Sequence, residues 1–140
     1  MSAARVVVGV GARRGVTAAE VLALVVDSLA SAGLAPCAVT ALATVDTKAA
    51  EPGVAGAAAR LGVPLLAYPA GVLAAVPVPH PSAAPLAAAG TPSVAEAAAL
   101  TAAGGGPGAG AAELVVGKRK SARGARATCA VARRAPRARD

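Results

Sequence analysis

The chain has 140 residues, enough for one domain with a buried core, and 56% of them are hydrophobic although it contains no Phe, no Trp and one Tyr, Tyr68. Its net charge of +7 is uneven, because residues 1–117 hold five basic and six acidic residues whereas 118–140 hold nine basic and one acidic. The basic balance therefore belongs to a tail and one loop; without aromatic stacking platforms it does not describe a nucleic-acid-binding surface.

A core limited to Val, Leu and Ala requires elements that approach closely, although a G+C-rich genome yields a similar excess of Ala, Gly, Pro and Arg. Leu61 to Ala95 contains no Asp, Glu, Lys or Arg, but its prolines at 64, 69, 77, 79, 81, 85 and 92 argue against a membrane span. No signal peptide is visible, and a cytoplasmic, soluble protein is expected. Cys37 and Cys129 lie far apart with no metal-ligand spacing around them. Two buried, reduced thiols are the expectation, with no metal and no cofactor.

In chain order, the continuous apolar run Arg5–Val10 predicts a strand buried on both faces. Gly9, Gly11, Arg13, Arg14 and Gly15 then carry the chain through a tight turn to a helix over Thr17–Ala32. Thr17 and Glu20 form a capping box, and Gly33 ends the helix. Val21, Val25 and Leu29 line its apolar face with Leu22 and Val26 beside them, opposite Glu20, Asp27 and Ser31. Ala38–Thr44 predicts a second strand, followed by a polar island from Thr44 to Gly53. Pro52 starts a helix that Gly62 stops, and Val63–Tyr68 predicts a third strand.

Short helical turns are expected at Gly71–Ala75 and Ser82–Ala89, with Pro77–Pro81 extended between them. A second capping box, Ser93 with Glu96, opens a helix over Val94–Ala103. Gly104–Gly110 predicts a flexible loop. Two last strands, Glu113–Gly117 and Ala125–Ala132, are joined by the basic turn Lys118–Gly124. Residues 133–140 are expected to form a disordered basic tail after a single domain over 1–132. Alternating strands and helices predict a three-layer α/β/α domain with a mixed, mostly parallel sheet of about five strands.

In such sheets ligands bind beyond the carboxyl ends of strands, near helix amino termini. Gly9-x-Gly11-x-x-x-Gly15 has one residue too many for a dinucleotide fingerprint, and no Gly-Lys-Ser/Thr follows to make a phosphate loop. Arg13 and Arg14 precede a helix whose dipole disfavours cations, an arrangement suited to binding an anion. Asp46, Lys48 and Glu51 follow a strand in a charge-poor chain. Lys118, Lys120 and Ser121 form a third polar group. His80, between prolines, reads as a loop residue, and no catalytic constellation can be named.

Taken together, Gly9-x-Gly11-x-Arg13-Arg14-Gly15, Ala43-Thr44-Val45-Asp46-Thr47-Lys48-Ala49-x-Glu51-Pro52-Gly53, Pro79-x-Pro81-Ser82, Gly90-Thr91-x-Ser93-Val94-Ala95-Glu96-Ala97-Ala98-Ala99 and Lys118-x-Lys120-Ser121 resemble the CobE family. That family is equivalent to the C-terminal domain of the cobalamin-biosynthesis protein CbiG, and the resemblance runs from about Val6 to Ala132. It implies an α/β domain that acts on or carries corrin-ring (precorrin) intermediates, with Gly9, Gly11, Arg13, Arg14, Gly15, Thr44, Asp46, Lys48, Glu51, Lys118, Lys120 and Ser121 as substrate-binding candidates. Full-length CbiG is the cobalt-precorrin-5A hydrolase, which opens a ring lactone and releases acetaldehyde. The chain has no room for that enzyme's other portions and is expected to resemble stand-alone CobE.

Three readings follow: a carrier or accessory factor for a carboxylate-rich precorrin, a lactone hydrolase, and a module that docks an acidic partner among the corrin-pathway enzymes. A homodimer is a further expectation. Asp46 and Glu51 keep two roles, orienting the lysines or acid–base work. The family often has Cys before the arginine pair, where this chain has Ala12, so a thiol there cannot be essential to this protein.

Overall fold

In a computed structural model of the chain, residues 5–74, 94–104, 112–120 and 127–134 are described. Strand β1 (Val6–Ala12) leads to helix α1 (Ala18–Ser31), β2 (Val39–Val45), α2 (Pro52–Leu61), β3 (Leu65–Tyr68) and the short α3 (Ala70–Ala74). Helix α4 (Val94–Gly104), β4 (Ala112–Lys120) and β5 (Ala127–Arg134) complete the described elements.

The sheet order is β3-β2-β1-β5-β4. Strands β1, β2 and β3 pair in parallel, whereas β5 runs antiparallel to both β1 and β4. The sheet is therefore mixed, as the sequence predicts, and β5 alone among the five runs opposite to the rest. The carboxyl ends of β1, β2, β3 and β4 consequently share one edge.

Alternation along β1 divides the layers. Val6, Val8 and Val10 face one side and join Val21, Val25 and Leu29 of α1 with Val54 and Ala57 of α2. Val7 faces the other side with Leu73 of α3 and Ala97 and Ala98 of α4. Helix α1 forms where expected: the Thr17 hydroxyl accepts the Glu20 amide at 3.0 Å. Its buried stripe includes Leu24 and Ser28, while Val26 is 39% exposed. Each fully buried Val or Leu on that stripe contributes roughly 1.5–3 kcal/mol. The expected place of Val26 beside the stripe is corrected, because the helix presents Leu24 to the sheet instead.

Helix α4 differs in kind. Ala95, Glu96, Ala97, Ala98 and Ala99 are all buried in succession, so the helix is enclosed on every side rather than on one stripe. It presses so closely on β1 that a Cβ built at Gly9 would lie 1.9 Å from the Ala95 carbonyl oxygen and 2.6 Å from the Ala99 nitrogen. The absence of large side chains in this layer is a requirement of that approach.

Several limits differ from the sequence reading. Strand β1 runs on through Gly9 and Gly11 to Ala12, which moves the turn to Arg13–Val16. Strand β4 extends through Lys120, so Lys118, Arg119 and Lys120 belong to a strand rather than to the expected turn. Strand β5 reaches Arg134, two residues into the stretch read as tail, and Arg133 pairs with Glu113 across the ladder at 2.6 Å. The expected extended Pro77–Pro81, helical Ser82–Ala89, His80, Ser93, Ser121 and residues 135–140 lie outside the described residues, as does the glycine loop beyond Gly104.

The cysteine expectation is half corrected. Cys37 is exposed, in a 3-10 turn, Pro36–Ala38, before β2. Cys129 is buried on β5 with its Sγ 3.2 Å from the Ser28 hydroxyl. Among the described residues no group of three His, Cys, Asp or Glu is placed to hold a metal ion, and no helix is long and apolar enough to cross a membrane.

Two predictions follow from this packing. Gly9→Ala should destabilise the domain by about 1–3 kcal/mol or more, since the colliding atoms are backbone and cannot rotate away; denaturant unfolding measures it. Burial pushes the Cys129 thiol from an ordinary 9.0 up to about 11, against a smaller opposing effect of its Ser28 hydrogen bond. The unfolded thiol loses its proton near pH 9 and the folded one only near pH 11. Stability from this group is complete below pH 9 and declines by up to roughly 2–3 kcal/mol as pH rises to 11. Cys129→Ala should flatten the pH dependence of stability across that window.

Candidate functional site

The carboxyl edge of the sheet gathers segments that are distant in sequence. Beyond β1 lies the turn Arg13–Val16, closed by the Val16 amide donating to the Arg13 carbonyl at 3.1 Å. Gly15 sits at φ +85°, the left-handed value that a type II turn needs at its third position. Arg13 and Arg14 are exposed at its first two positions. Val16 behind them is buried and anchors the turn to the core.

Beyond β2, Asp46, Thr47 and Lys48 form one 3-10 turn, in which Asp46 and Thr47 are exposed and Lys48 is half-buried. Glu51 follows at the N-cap of α2. At the end of β4, Lys118 is half-buried and Lys120 exposed, opposite Thr128 on β5. Because Ala12 pairs with Ala127, the neighbour of Thr128, the end of β4 stands one strand away from the start of the arginine turn. Helices α1 and α2 both begin at this edge, and Val94 at the start of α4 lies near Gly11.

The candidate residues divide by what they touch. Arg13, Arg14, Lys48, Lys118 and Lys120 reach this edge, and among the described residues none of them has an acidic side chain within ion-pair distance. The ion pairs described involve other arginines, Arg119 with Asp27 and Arg133 with Glu113. Thr44 is buried, and its hydroxyl donates to the Val10 carbonyl at 2.7 Å, tying β2 to β1 behind the edge. Gly9 lies under α4, so its missing side chain makes room for a helix. Gly11 faces Thr128, where a Cβ would stand 2.7 Å from the threonine hydroxyl.

Two carboxylates at this edge, Glu51 and Glu96, hold backbone amides. Glu51 accepts the Gly15 amide through Oε1 at 3.2 Å. Glu96, read in the sequence as half of a capping box and part of a family motif, is buried in the first turn of α4 and accepts the Lys118 amide through Oε2 at 2.9 Å. Lys118 lies between Val116 and Arg119, where the β4–β5 register shifts. A bulged edge strand has amides outside its ladder, and Glu96 takes one of them. The helix dipole at the α4 amino terminus favours a carboxylate at that position. Sequence pattern could not have found this contact, since it joins residues 22 apart on elements that meet only in the fold.

Comparison with known proteins decides the family. Residues 6–132 match the family described as cobalamin synthesis G C-terminus. The chain belongs to that family. This CbiG C-terminal-type domain thus stands among cobalamin-biosynthesis proteins, in agreement with its motifs. Protein CobE of Sinorhizobium sp. is 40% identical over 72 residues, which are 51% of the domain's chain and 47% of that relative, so the match spans about half the relative's length.

Among solved structures, that of CobE, a protein from the cobalamin (vitamin B12) biosynthetic pathway, superposes with a TM-score of 0.79 at 36% identity, over 91% of this chain and 92% of that one. Cobalamin biosynthesis protein chiG from Agrobacterium tumefaciens str. C58 gives 0.68 at 31% identity, over 94% and 99% of the two chains. A putative cobalamin biosynthesis protein G homolog from Sulfolobus solfataricus shares the fold, with a TM-score of 0.67 at 21% identity, and there the match takes up 37% of the longer chain.

The buried carboxylate leads to a stability prediction. Glu96→Ala should destabilise the domain by about 1–3 kcal/mol, because the Lys118 amide loses its acceptor in a closed environment. Thermal unfolding of the variant checks it, and an unchanged midpoint would show the amide to be hydrated.

Proposed function

We propose that the domain binds a carboxylate-rich corrin intermediate at the carboxyl edge of its sheet, as a carrier or accessory factor in cobalamin synthesis. The observation that carries this reading is the convergence of Arg13, Arg14, Lys48, Lys118 and Lys120 on one edge, without acidic partners among the described residues. Corrin precursors bear many acetate and propionate side chains. The planar guanidinium fork holds a carboxylate with two parallel hydrogen bonds, and lysines supply charge without that directionality. The family of the domain and the names of its structural relatives support the same substrate class.

Cobyrinic acid, a stable corrinoid with free carboxylates, is a suitable probe. Absorbance titration should give saturable binding, and cobinamide, whose side chains are amidated, should bind more weakly. Replacing Arg13 and Arg14 together with Ala should weaken binding at least tenfold, since hydrogen bonds to charged groups contribute about 1.5–3 kcal/mol each. Stability should hold or rise slightly as two cations leave a helix amino terminus. Arginine-to-lysine replacements should recover part of the loss. Equal affinity for the two corrinoids would rule out carboxylate recognition. Release of acetaldehyde from a precorrin lactone by the isolated domain would replace carriage with hydrolysis.

A further inference from the structure

Glu51 is an unusual residue for its position. It is the N-cap of α2, where Ser, Thr, Asp or Asn normally accepts an amide of the helix's own first turn. Its side chain makes no such bond. It reaches instead across to the preceding loop, where Oε1 accepts the Gly15 amide at 3.2 Å, 36 residues away in the chain.

The choice of amide has mechanical meaning. Gly15 is the third residue of the Arg13–Val16 turn, so its N–H belongs to the central peptide that joins it to Arg14. Type I and type II turns differ mainly by a flip of that central peptide. Holding its N–H fixes the softest degree of freedom of the turn and, with it, the directions in which Arg13 and Arg14 leave the backbone. A second contact acts on the same segment: a Cβ on Gly53, two residues after Glu51, would lie 2.1 Å from the Val16 carbonyl oxygen. The start of α2 thus abuts the arginine turn through backbone as well as through the carboxylate.

From these contacts we propose that Glu51 is a positioning residue for the arginine pair, acting through the Gly15 amide and not by touching the ligand or transferring a proton. The proposal rests on the carboxylate-binding reading of the edge. It separates two glutamate roles that the sequence left together, and assigns the orienting one to the arginine turn rather than to the lysines. Binding two carboxylates at once demands that both guanidinium planes be set beforehand, since side chains and loops ordered on binding subtract from affinity.

The experiment compares Glu51→Gln and Glu51→Ala with wild type in titrations against cobyrinic acid and in amide hydrogen exchange without ligand. Glu51→Gln keeps an oxygen acceptor and should retain most of the affinity, whereas Glu51→Ala should lose about fivefold or more, equivalent to one net hydrogen bond. In the Arg13→Ala, Arg14→Ala background, adding Glu51→Ala should cause little further loss, because the residue acts only through the pair. A general structural defect would weaken both backgrounds equally. Without ligand, exchange at Gly15 should accelerate in Glu51→Ala and not in Glu51→Gln. Wild-type affinity in Glu51→Ala, full additivity with the arginine variants, or unchanged exchange at Gly15 would each overturn the role of Glu51. Unchanged affinity in the arginine double variant would instead overturn the reading of the edge itself.

Discussion

The fold depends on how closely α4 approaches β1. Gly9 has no side chain, and the backbone of Ala95 and Ala99 occupies the space a Cβ would need. This contact permits an alanine-rich helix to be buried on all sides in a protein without Phe or Trp. Interiors are packed to crystal-like density, so small side chains can fill a layer only when backbones come together. It also brings the amino terminus of α4 to the sheet edge, where Glu96 reaches the Lys118 amide. One glycine therefore influences both the core and the placement of a lysine-bearing strand at the far end of the sheet.

The polar edge is organised by division of labour among charges. Two carboxylates near the cations are occupied with backbone amides, Glu51 with Gly15 and Glu96 with Lys118. Each bond fixes main chain, whose position is inherited by the basic side chains attached to it. An ion pair with the same carboxylate would instead neutralise the cation that an anionic ligand needs. Asp27 and Glu113 do pair with arginines, and those arginines, Arg119 and Arg133, lie outside the candidate set. The buried Cys129, with its thiol pushed up to about 11, is chemically quiet and belongs to the core rather than to this edge.

Much of this was legible in the sequence because it is local. The Thr17–Glu20 cap, the proline start of α2 and the apolar period of α1 depend on residues within a turn or two of one another, so their spacing specified them. The βα alternation implied a mainly parallel sheet, and the family motifs pointed to the same segments that the edge gathers. What local pattern could not specify was any property that depends on a partner element. Val26 and Leu24 are equally apolar, and only the rotation of α1 against the sheet decided that Leu24 is inside. The basic residues at 118–120 looked like a turn because charge normally ends strands, yet ladder bonds to Thr128 and Cys129 extend β4 through them.

By itself the sequence determined most of the elements, the mixed sheet and the family, since each follows from short-range spacing or from motifs read in order. The tertiary structure decided what the glycines and glutamates are for. Gly9 looked like part of a ligand-binding turn and lies beneath a helix, because the chain that covers it arrives more than eighty residues later. The sequence left Glu51 open between orienting the lysines and acid–base work, whereas in the fold it accepts the amide of Gly15, because α2 begins against the arginine turn. A carboxylate's role is set by the nearest unsatisfied donor in space, and that donor is known only once the chain is folded.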